Sequence, residues 1–124
     1  MVGLLAASGT LHLVAPGSYR RIVPRALGHA AGIVAVSGVC ELLCATLLLL
    51  PATRRLGAWS TAALLVAVFP ANVQMALDGG LAGAPFPADS AVAAWLRLPL
   101  QVLLIAWALS LRADARSNRE RRGE

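Results

Sequence analysis

Residues 26–50 read ALGHAAGIVAVSGVCELLCATLLLL, an apolar run with one carboxylate, Glu41, a little past its middle. A bilayer hydrocarbon core of about 30 Å needs about 20 helical residues to cross it. The run is long enough and contains no proline, so it predicts a membrane-spanning helix. A charged side chain at mid-span costs roughly 2.5–3.5 kcal/mol on insertion scales. Segments 56–77 and 91–111 pass the same length test, and the second of them holds another costly charge, Arg97. Segment 1–15 is apolar but short, rising only about 22 Å as a helix, so it would need local bilayer thinning to span. A missing upstream stretch, through a misassigned start codon, would account for that. The predicted fold class is all-α: a polytopic membrane protein whose residues 1–111 form a four-transmembrane-helix bundle (helices near 1–15, 26–50, 56–77 and 91–111). Residues 112–124 are read as a basic cytoplasmic tail that frays.

Composition supports this. The chain has 124 residues, room for one domain, with 58% hydrophobic and only 14% charged residues. A soluble protein of that size needs far more charge to cover its surface. The net charge of +5 comes from arginine alone, with no lysine. The arginines stand at helix ends and in the tail, where topology signals belong. No aromatic-interleaved basic patch or nucleic-acid motif accompanies them, so nucleic acid is not an expected partner. The absence of lysine suits a GC-rich bacterial genome.

The first apolar stretch lacks a basic leader, and Pro16-Gly17 follows it in place of a small-x-small cleavage site, so it reads as a helix rather than a signal peptide. PGSYRRIVP, 16–24, reads as a basic amphipathic connector at headgroup level. Gly28 and Gly32 have GxxxG spacing, which permits close helix approach. Thr53 is a candidate cap for the third helix, and Asp89 or Ser90 for the fourth. Pro70 and Pro99 lie inside predicted helices and free the carbonyls of Val66 and Trp95. Residues 78–90 are rich in Gly and Pro and read as an irregular loop. Trp59, Trp95 and Trp107 fall near helix ends, as aromatic belts do. In a four-helix topology seven arginines (Arg54, Arg55, Arg112, Arg116, Arg119, Arg121, Arg122) share one side and three (Arg20, Arg21, Arg25) the other. That balance predicts both termini in the cytoplasm, in a bacterial inner membrane.

Ser37, Cys40, Glu41 and Cys44 follow i, i+3, i+4, i+7 and make one stripe on the second predicted helix. Arg97 and Gln101 share a face of the fourth, about 9 and 15 Å from its start. Asn72 lies just beyond the Pro70 kink, and His12 near the end of the first helix. A buried carboxylate and a buried guanidinium should face inward and pair, so the expectation is a Glu41–Arg97 ion pair, direct or water-bridged, with Asn72 and Gln101 beside it. The candidate ligand-binding or intramembrane polar site is therefore His12, Glu41, Asn72, Arg97 and Gln101. The same cluster could instead fasten the helices together, at about 0.6 kcal/mol per interhelical hydrogen bond. His29 reads as interfacial. Cys40 and Cys44 form CxxxC within one helix, and such thiols in lipid are inert small apolar residues. No catalytic residue and no metal-ligand set is assigned.

Five stretches together carry a resemblance: HLVAPGSYRRIVP with His12, Pro16 and Tyr19; SGVCELL around Glu41; LLLPATRR; VFPANVQMA around Asn72; and WLRLPLQVLLIAW around Arg97 and Gln101. The chain resembles the DoxX-like family of small four-helix bacterial membrane proteins over nearly its whole length before the tail. The resemblance implies a compact membrane bundle. It also implies association with membrane redox systems, since relatives include a subunit of a thiosulfate–quinone oxidoreductase and membrane partners of oxidant-detoxifying systems. The short first helix departs from the pattern. Three functions are then in view. One is an accessory or quinone-interacting subunit, with quinone the candidate cofactor and a redox or detoxification protein the partner. The second is a proton-coupled small-solute carrier, which one small bundle would need a second copy to build. The third is a non-catalytic scaffold using the basic tail. None requires the chain to be an enzyme by itself.

Overall fold

Proline and glycine set where the helices stop. The computed structural model describes residues 1–83, 86–121 and 123, with backbone alone for 113–120. Helix α1 (Val2–Val14) ends at Ala15, whose backbone has left the helical region (φ −134°, ψ 56°), because a residue before proline is pushed out of it. Pro16 then opens the one-turn helix α2 (Pro16–Arg20) from its first position, where its missing N–H costs nothing. A 3-10 turn at Arg25–Leu27 follows. Gly28 (φ 59°) and His29 (φ 43°) both lie in the left-handed region, so α3 (Ala30–Leu49) starts four residues later than the predicted 26. Leu50, before Pro51, leaves the helix in an extended conformation.

Helix α4 (Arg54–Leu77) accommodates Pro70, and α5 (Ala91–Arg121) accommodates Pro99. The hydroxyl of Thr53 does not cap α4; it donates back to the Leu47 carbonyl at 2.9 Å and ties α4 to the end of α3. The frayed tail expected from 112 onward is instead a continuation of α5 to Arg121. Arg112 holds that continuation in register with α4: its guanidinium stacks 4.7 Å above the Trp59 ring. The side chains of Arg116 and Arg119, and Arg122, used in the charge count, lie outside the described residues, as do Ala84 and Pro85 of the predicted loop.

Among the described residues the fold is all-helical. Three helical segments are long and apolar enough to cross a membrane, Ala30–Leu49, Arg54–Leu77 and Ala91–Arg112, and α1 is a shorter apolar helix. The main interfaces run α1 on α3, α3 on α4, and α4 on α5. Two hairpin-like pairs, α1/α3 and α4/α5, therefore meet through α3 and α4. Apolar clusters close the gap between them at both ends. At one end Leu5, Cys44, Leu48 and Ala58 pack with Leu111. At the other, Met75, Leu81 and Ala94 pack with Ile22 of the connector and Leu98. Arg21 reinforces this second end by donating to the Ala82 carbonyl at 2.6 Å. The outward faces carry exposed Val36, Leu43, Val102 and Leu103, the inverse of a water-covered surface.

Helix α1 crosses α3 with the two backbones in direct contact. A Cβ placed on Gly9 would stand 2.7 Å from the Gly38 carbonyl oxygen, and one on Gly38 would stand 2.9 Å from the Gly9 carbonyl oxygen and from His12 Cβ. Each glycine is thus the hole into which the other backbone fits. The predicted GxxxG pair does not act this way: Gly28 lies outside α3 and Gly32 meets nothing within 4 Å. Gly9→Ala and Gly38→Ala should each destabilise the protein by about 1–3 kcal/mol, the usual cost of overpacking. Gly32→Ala should be neutral or stabilising. Thermal unfolding of the detergent-solubilised variants, followed by circular dichroism, checks the contrast.

Candidate functional site

Glu41 and His12 are brought together by the glycine crossing. The two helices run antiparallel, so Gly9 stands opposite Glu41 (a Cβ on Gly9 would be 3.0 Å from Glu41 Cβ) and Gly38 opposite His12 (2.9 Å to His12 Cβ), and the close approach lets the two side chains meet. His12 Nδ1 is 3.5 Å from Glu41 Oε1. The same nitrogen donates to the Ser8 carbonyl oxygen at 2.8 Å. That bond puts a proton on Nδ1 and orients the ring. Tyr19 of α2 packs on the other side of the imidazole, with ring centroids 4.1 Å apart. Glu41 is only 7% exposed, and its second oxygen, Oε2, is buried without a hydrogen-bond partner.

A second polar pair lies on the facing helices. Asn72 Nδ2 of α4 donates to Gln101 Oε1 of α5. Gln101 Nε2 donates in turn to the Leu65 carbonyl of α4 at 2.6 Å. This carbonyl is next to that of Val66, which Pro70 deprives of its helical donor. The side chain of Gln101, 3% exposed, therefore reaches into the stretch of α4 that the proline loosens.

Both pairs face one cavity of about 450 Å³ between the two hairpins. All five sequence-derived site residues, His12, Glu41, Asn72, Arg97 and Gln101, line it, together with Ser37. The remaining wall is largely aliphatic, with Val34, Leu65, Val68 and Leu104 among its residues. Its volume falls in the range of small-molecule sites. The expected Glu41–Arg97 ion pair is not formed. Among the described residues the ion-pair partner of Glu41 is His12. The reason is the packing order: α1 sits directly on α3, whereas α5 packs on α4. Arg97 stands exposed at the cavity rim.

The stripe read from the sequence divides. Ser37 and Glu41 face the cavity, whereas Cys44 sits in the apolar cluster with Leu5 and Leu48. Both cysteines are free thiols. His29 is exposed in the turn before α3 and away from the cavity wall. Sequence reasoning missed the connector as a wall: Tyr19, Ile22, Val23 and Pro24 line the cavity, as does Leu27 of the 3-10 turn that follows. The amphipathic make-up of SYRRIVP, with Tyr19, Ile22 and Val23 beside two arginines, was the available signal, since an apolar face needs something to cover.

Gln101→Leu should destabilise the protein by about 1–2 kcal/mol, because the Leu65 carbonyl and the Asn72 amide both lose their partner. Arg97→Leu, at an exposed position, should change stability by less than about 0.5 kcal/mol. Chemical unfolding of the two variants side by side measures the difference.

No curated protein and no solved structure matches the chain. A family model does match, over residues 1–112, and so over every element that builds the cavity. The chain belongs to the family described as "Domain of unknown function (DUF8561)".

Proposed function

We propose that the protein is a four-helix integral membrane protein of DoxX-like type whose cavity binds a quinone-type headgroup, as an accessory subunit of a membrane redox system. The observation that carries this reading is the buried Glu41 carboxylate, with His12 beside it, facing an apolar-walled cavity of about 450 Å³. A quinone needs hydrogen-bonding groups at its ring oxygens and an apolar surround for ring and tail. Asn72 and Arg97 carry N–H donors for a ring oxygen, Glu41 with His12 beside it accepts from a ring hydroxyl, and the aliphatic wall supplies the apolar surround. An intramembrane carboxylate is a functional site by default, because its insertion cost must be met by something.

The spans, the exposed apolar faces and the arginine asymmetry support insertion in a bacterial inner membrane with both termini in the cytoplasm. Helix α1, about 20 Å long, would cross a locally thinned bilayer. In that orientation the cavity belongs to the half of the bundle away from the cytoplasm. A redox or detoxification protein, or a second copy of the chain, is the expected partner.

The orphaned Oε2 of Glu41 also favours a second reading, a proton-coupled small-solute carrier in which Glu41 takes up and releases the proton. Glu41→Gln separates the two. A carrier loses pH-dependent transport with this change, whereas a quinone-binding subunit has no transport to lose.

Two experiments test the main reading. Gentle purification from native membranes followed by lipid extraction should recover quinone at a substantial fraction of one per chain, and added quinone should raise the unfolding temperature. Recovery of none, with no thermal shift, sinks the reading. A reporter fused after Glu124 should be active only in the cytoplasm; activity outside reverses the topology.

A further inference from the structure

Glu41, His12, Gln101 and Arg97 line the cavity in different hydrogen-bonding states, and these specify what a ligand must bring. Glu41 Oε2 is buried and has no donor. His12 cannot serve it: its Nδ1 hydrogen is directed to the Ser8 carbonyl at 2.8 Å, and the contact to Glu41 is a longer 3.5 Å to the other oxygen. Gln101 is committed in both directions, its Nε2 to Leu65 and its Oε1 to Asn72. The deep wall at Glu41 therefore offers an acceptor that lacks a donor. A buried acceptor left unmatched is costly, and a ligand that supplies its donor gains the most there.

The rim is complementary. Arg97 on α5 is exposed, carries donors only, and has no hydrogen bond or ion pair among the described residues. Leu27, Ile33 and Leu100 also line the cavity and are exposed, at 60%, 37% and 52%. They place an apolar mouth between the start of α3 and the first half of α5. These helices do not pack on one another as α3 does on α4. The mouth thus opens sideways, between helices, where an apolar tail can leave the cavity.

We propose that the cavity selects a ligand with a phenol-type hydroxyl head and an apolar tail, a hydroquinone rather than a quinone. The hydroxyl donates to Glu41 Oε2, the head's far oxygen accepts from Arg97, and the tail passes between Ile33 and Leu100. A quinone carbonyl has no hydrogen to give and would face the carboxylate oxygen to oxygen. This inference rests on the proposed quinone-type site and adds which redox form it holds.

The test uses the full chain in lipid nanodiscs, with decylubiquinol and decylubiquinone titrated under anaerobic conditions and binding read by tryptophan fluorescence and thermal shift. The reduced form should bind at least about tenfold more tightly, the worth of one hydrogen bond to a charged acceptor. Glu41→Gln should bring the two affinities close to equal, since an amide can donate to a carbonyl as well as accept from a hydroxyl. A second pair, 4-nonylphenol and its methyl ether, asks the same question of the unaltered protein, and the phenol should bind more tightly by a similar factor. Equal binding of the two redox forms, or tighter binding of the oxidised form, overturns this inference and leaves the quinone-type site standing. A preference that survives Glu41→Gln, or a methyl ether that binds as well as the phenol, also overturns it. Failure of both decyl compounds to bind overturns the site reading together with the inference.

Discussion

Gly9 and Gly38 let the backbones of α1 and α3 touch, and much of the rest of the structure depends on that contact. Each carbonyl occupies the space where the other residue's Cβ would be. The approach has two consequences. It fastens a thirteen-residue helix, too short to span comfortably, onto one that is long enough. It also sets His12 beside Glu41, because each glycine lies opposite the other helix's polar residue and leaves room for both side chains. Small residues at a helix crossing act through van der Waals contact, which retains its strength where lipid removes any hydrophobic drive.

The cavity exists because the two hairpins are joined at their ends and not at their middles. Leu111 closes one end against α1 and α3, and Ile22 and Leu98 close the other. Between these clusters the polar groups are treated unequally. The Asn72–Gln101–Leu65 chain is satisfied and links α4 to α5 across the Pro70 distortion. Glu41 keeps one buried oxygen without a partner. A purely structural lock would satisfy both sides, since a half-satisfied buried network is worse than an apolar one. The asymmetry separates a wall whose polar groups are matched to one another from a wall that keeps an unmatched acceptor.

Much of this was legible along the chain. The apolar lengths marked the three long helices, and Pro16, Pro51 and the Gly-rich loop marked most boundaries. The late start of α3 was not legible, because it depends on Gly28 and His29 both adopting positive φ, which neither residue type requires. Helical spacing put Ser37 with Glu41, and Arg97 with Gln101, on shared faces, and both pairs line the cavity. The same spacing put Cys44 in the stripe, yet Cys44 stands about 10 Å further along α3 than Ser37, at the level of the apolar cluster with Leu5 and Leu48.

By itself the sequence determined the helical class, the helices long enough to cross a bilayer, and the five costly or polar residues worth watching. Those properties follow from composition and periodicity, which are local. Only the tertiary structure decided the partners. Glu41 pairs with His12 and not Arg97 because two glycines 29 residues apart admit a backbone contact. Arg97 is left at a rim because α5 packs on α4. Pairing across helices depends on which helix lies next to which, and identical apolar stripes do not encode that order.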